Sequence, residues 1–84
     1  MIEIASLHDA RRALQTHTTP EPLTLRVPYA ALCLGGIGFY VALRATLEEE
    51  FGRARFRLVL DTGNARGLAL AARDAGFDTC EKIA

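Results

Sequence analysis

Apolar positions along the chain change their period several times, and the changes mark alternating strands and helices. Residues 2–5, IEIA, put Ile2 and Ile4 on one side of an extended segment and Glu3 and Ala5 on the other. From Leu7 a helical period takes over, with Leu7, Ala10, Ala13 and Leu14 on one arc and His8, Asp9, Arg11, Arg12 and Gln15 opposite. Ser6, with Asp9 three positions later, has the spacing of a capping box and predicts the start of this helix. THTTPEP reads as a loop, and LTLRV then alternates as a strand that Pro28 stops.

The apolar run from Tyr29 to Leu43 contains Gly35, Gly36 and Gly38. It reads as a turn followed by a helix from about Gly38 to Phe51, with Phe39, Leu43 and Leu47 inward, Arg44 placed to meet Glu48, and Gly52 closing it. RFRLVL is the third strand, residues Ala65 to Ala75 the third helix with Gly76 behind it, and TCEKI a short fourth strand.

This alternation predicts one α/β domain over residues 1–84, βαβαβαβ, with a four-stranded, mostly parallel sheet. If helices cover both faces, central strands are apolar on both sides and edge strands alternate. On that premise Thr24 and Arg26 make the second strand an edge, and Glu81 and Lys82 do the same for the fourth. Strands one and three become neighbours, with Glu3 and Arg57 able to pair. The expected order is 2-1-3-4, flavodoxin-like and doubly wound. The alternative is a two-layer, STAS-like arrangement with all helices on one face, leaving Glu3, Thr24, Arg26 and Arg57 on an open or partner-covered face.

The order 2-1-3-4 locates a crevice, because open α/β sheets bind ligands outside the carboxyl ends of their strands where the chain order reverses. The loops after strands one and three would meet there, and Ser6, His8, Asp61, Thr62 and Asn64 are the candidate ligand-binding residues. Two helix N-termini would add unpaired N–H groups suited to a phosphate or carboxylate. Asp61 and Asn64 also belong to the residue types that cap helices and shape turns, and Ser6 and Asp9 are accounted for by their own helix start. Ser6 and His8 are too close in sequence to face each other on a helix, so no catalytic triad and no catalytic residue is assigned.

Composition narrows the function classes. Ten basic residues balance ten acidic ones, so no net field draws nucleic acid or an anionic membrane. The apolar run of 15 residues from Tyr29 to Leu43 is shorter than the roughly 20 that a membrane-spanning helix needs, and no membrane partner is expected. Cys33 and Cys80 lie in no metal-ligand spacing, so no metal and no cofactor is expected. They read as reduced, buried thiols of a cytoplasmic protein, since the N-terminus lacks the pattern of a secretory signal.

At Val59-Leu60-Asp61 a short stretch resembles two kinds of domain. A response-regulator receiver ends its third strand in aspartate, but it needs an acidic pair after strand one to hold magnesium, where this chain has Ala5-Ser6. An anti-sigma-factor antagonist (STAS) domain joins an LD strand to a Gly-Leu helix, matched here by Arg66-Gly67-Leu68 alone. Neither pattern is complete, and no family is assigned.

On the third helix Leu70 breaks the pattern, falling on the polar side beside Arg66 and Arg73, and these three are the candidate protein-contact residues. Two functions follow. One is a non-enzymatic, regulatory or scaffolding module acting through a protein partner or self-association. The other is a binding domain or small enzyme for an anionic metabolite at the loops after strands one and three.

Overall fold

The computed structural model describes residues 1–80. Its elements are β1 (Ile2–Glu3), α1 (Leu7–Thr16), β2 (Leu23–Val27), α2 (Tyr29–Phe51), a 3₁₀ turn at Arg53–Arg55, β3 (Phe56–Asp61), α3 (Arg66–Asp74) and β4 (Asp78–Cys80). The continuation of β4 expected through Glu81 and Lys82 lies outside the described residues.

The helix ends follow from local chemistry. Ser6 Oγ accepts from Asp9 N–H at 3.2 Å, which satisfies a donor that the first turn of α1 leaves open, and Asp9 Oδ2 accepts from Ala5 N–H at 3.2 Å, just before the cap. At the end of α3, Gly76 N–H donates to Arg73 O and Phe77 N–H to Ala72 O, the paired bonds of a Schellman cap that folds Phe77 back into the core. Arg44 reaches this end too, donating to Ala75 O at 2.8 Å with its guanidinium 4.1 Å from the Phe77 ring centre. The expected partner of Arg44, Glu48, pairs with Arg53 instead at 3.1 Å.

Helix α2 starts earlier than the glycine trio suggested. Residues directly after Pro28 are already helical, and the chain breaks only at Gly36 (φ 80°, ψ 162°). That backbone region is essentially reserved for glycine. The break rotates the second segment, so Tyr40 rather than Phe39 points inward with Leu43 and Leu47. Gly38 is ordinary helix, with open space where a Cβ would stand. Opposite effects are therefore expected in urea unfolding: Gly36→Ala loses about 1–3 kcal/mol, whereas Gly38→Ala gains about 0.5–1 kcal/mol. By length and composition alone α2, with 23 residues, is long and apolar enough to cross a membrane. In this fold its Leu32, Tyr40, Leu43 and Leu47 belong to the core.

The sheet is fully parallel, but its order is β1-β2-β3-β4, not 2-1-3-4. Strand β2 pairs Ile2 with Leu25 on one side and Leu58 with Leu25 on the other. Crossovers of the usual right hand that all step the same way put their helices on one face. The core agrees: Ile4, Leu23, Leu25, Val27, Phe56, Leu58 and Leu60 join side chains of α1, α2 and α3 in one cluster. The intervening positions, Glu3, Thr24, Arg26, Arg57, Val59 and Asp61, point to the face without helices. This is the two-layer alternative, and it explains the misplaced strand. The alternation in LTLRV marks a central strand covered on one side, not an edge.

Charges organise the uncovered face. Arg26 pairs with Glu3 and with Asp61, and Arg57 pairs with Asp78 at 2.7 Å, so the expected Glu3–Arg57 pair does not form. A hydrogen bond from Arg57 holds the Asp78 carboxyl below its ordinary pKa, and the Ala5 N–H does the same for Asp9. A depressed carboxyl stabilises the fold above its unfolded pKa and loses that contribution as pH falls through the folded value. Thermal stability should fall below about pH 4, and Asp78→Asn should flatten part of that decline.

Candidate functional site

Strand β2 separates the two loops that the expected order brought together. Neighbouring strands lie about 4.8 Å apart, so the ends of β1 and β3 stand roughly 10 Å from each other. Ser6 is occupied at the cap of α1, and His8 is exposed on that helix. Thr62 is fully buried, with its N–H donating to Cys80 O at 3.0 Å and its hydroxyl to the same oxygen at 3.4 Å. It fastens the β3 end to β4. Asn64 is exposed.

Asp61 closes β3 and is 2% exposed. Its Oδ1 accepts from Gly63 N–H at 2.9 Å, a turn at the strand end, and its Oδ2 accepts from Arg26 Nη2. It does not cap α3, which starts behind Ala65 without a side-chain cap. Gly63 has φ 55°, and a Cβ there would stand 3.0 Å from the Tyr29 ring, so glycine lets this loop lie against the start of α2.

The result is an open cleft of about 1050 Å³ beyond the carboxyl ends of the strands, lined by Glu3, Arg26, Pro28, Tyr29, Gly63 and Asn64 among others. Of the sequence candidates only Asn64 lines it directly, with Asp61 behind Arg26. Arg26, Glu3 and Tyr29 were missed. The available signal was a charged residue inside each of two apolar strands, Arg26 in LTLRV and Asp61 ending FRLVLD. The Cys80 side chain, then the Asp61 and Glu3 carboxylates, hold the Arg26 guanidinium above its ordinary pKa against the cost of its burial.

Both thiols are free, but Cys33 is exposed and Cys80 partly so, unlike the buried pair expected. Cys33 lies on the outer side of α2, where Leu34 is 91% exposed. On α3, Arg66, Leu70 and Arg73 are all exposed and line a shallow depression of about 250 Å³. Leu70 is 60% exposed. Among the described residues, no three His, Cys, Asp or Glu side chains converge as a metal site. No protein-family model matches the chain, and neither a curated protein nor a solved structure does.

Proposed function

We propose that this chain is a small non-enzymatic α/β module that works through protein contacts, in a regulatory or scaffolding role, and that its first contact is with a second copy of itself. One observation carries the reading. Parallel sheets occur almost only with both faces covered, and among the described residues this four-stranded parallel sheet has helices on one face alone.

The outer face of α3 supplies an anchor of the kind found at protein interfaces. Leu70 stands exposed beside Arg66 and Arg73, and the depression they line, about 250 Å³, is smaller than the usual small-molecule site. Arginine and an apolar side chain together favour a protein contact over solvation. The two free thiols fit a reducing compartment, in keeping with a cytoplasmic module.

Sedimentation of the full chain from about 10 to about 500 µM tests this. The expected result is a mass rising from the 9.1 kDa monomer with concentration. Leu70→Asp should weaken that association at least about tenfold while changing stability by less than about 0.5 kcal/mol. A mass fixed at the monomer value throughout the range contradicts the reading.

A further inference from the structure

We infer that the cleft at the ends of β1, β2 and β3 is a binding site for a free α-amino acid with an aromatic or large apolar side chain. The cleft shares no residue with the outer face of α3, but Glu3 and Arg26 lie on the uncovered sheet face that a second copy would meet. The titration that tests it is therefore made at a concentration where the chain sediments as a monomer. Its size is of the order of small-molecule sites, about 300–1,000 Å³, at about 1050 Å³ and open to solvent.

The charges select the ligand. Arg26 is held from behind by Asp61, whose side chain is 3% exposed, and from the cleft side by Glu3, whose side chain is 64% exposed. Asp61 is fixed by burial and by Gly63 N–H; Glu3 has room to move. A simple anion such as phosphate has to displace Glu3 from Arg26 and meets two negative charges around one positive. A simple cation finds Glu3 already neutralised.

A zwitterion leaves every charge paired. Its carboxylate takes the Arg26 Nη1 position that Glu3 vacates, and its ammonium takes Glu3, so one ion pair becomes two. The amide of Asn64 can donate to the carboxylate or accept from the ammonium. Tyr29, 42% exposed and braced against Gly63, offers its ring, with Pro28 beside it, to an apolar side chain.

Calorimetric titration of the full chain with L-phenylalanine and L-leucine tests the proposal, with N-acetyl-L-phenylalanine, L-phenylalanine methyl ester and inorganic phosphate as comparisons. At least one free amino acid should bind saturably, and each blocked derivative and phosphate should bind at least about tenfold more weakly, because each lacks one charge-assisted contact. Glu3→Gln changes an exposed residue and should weaken the free amino acid by a similar factor while tightening the N-acetyl derivative, which no longer has to displace Glu3 from Arg26. Tyr29→Ala should weaken it as well. Absence of binding by both amino acids up to about 10 mM overturns the proposal. Equal binding of the N-acetyl derivative or the ester overturns it too, as does phosphate binding that matches the amino acid and tightens in Glu3→Gln.

Discussion

Replacing Arg26 with methionine is expected to remove a large part of the domain's stability. Methionine keeps a stem over the uncovered sheet face but removes the charge, and Asp61, whose side chain is 3% exposed, is left with Gly63 N–H as its described hydrogen-bond donor. Stranding one member of a buried ion pair costs about 3–5 kcal/mol. An 84-residue domain has a total stability of about 4–13 kcal/mol. Glu3 contributes little to the loss, because its half of the network is exposed and exposed pairs are worth at most about 1 kcal/mol. Arg26→Met combined with Asp61→Asn should recover a large part of the stability, since asparagine still accepts from Gly63 without an unpaired charge. Urea unfolding of both variants checks this. A loss below about 1 kcal/mol in the single variant would mean that Arg26 and Asp61 behave as a surface pair.

Tyr40 is the second position where a large effect is expected. It is the bulkiest of the fully buried side chains, at 1% exposure. Its hydroxyl donates to Ala5 O at 3.0 Å, tying α2 to the link between β1 and α1, and its ring meets Phe39 edge-on with centroids 4.9 Å apart. Burial raises the pKa of that hydroxyl, which keeps it protonated as a donor. Tyr40→Ala removes the ring from a packed core and should cost about 3–5 kcal/mol. Tyr40→Phe keeps the ring and leaves the Ala5 carbonyl without this donor, a loss of about 1 kcal/mol. The two variants in one thermal unfolding series separate packing from hydrogen bonding. Equal losses would place the whole effect in the hydroxyl.

Helix ends and strand identities were legible in the chain because each rests on residues close in sequence. Ser6 with Asp9 announces α1, Gly76 ends α3, and the period-two runs around Leu25 and Leu58 are strands. Strand order was not legible, because it depends on whether one or both faces of the sheet carry helices. The polar positions Thr24 and Arg26 suit an edge strand under two-sided cover and a central strand under one-sided cover. The same ambiguity moved the candidate site. Asp61 could be seen as a strand-end carboxylate, but its partner Arg26 is 35 positions away and meets it only through the β2–β3 register. The start of α2 was hidden for a local reason. Three glycines close together suggest a turn, yet only Gly36 takes a conformation that breaks the helix.

The one-sided, sequentially ordered sheet underlies the uncovered face, the Arg26 network and the cleft, and the contacts between its strands test it directly. Cross-strand nuclear Overhauser contacts from an isotope-labelled sample should place Leu25 beside both Ile2 and Leu58, with none joining residues 2–4 to residues 57–59. A contact ladder running directly between β1 and β3 would contradict the account.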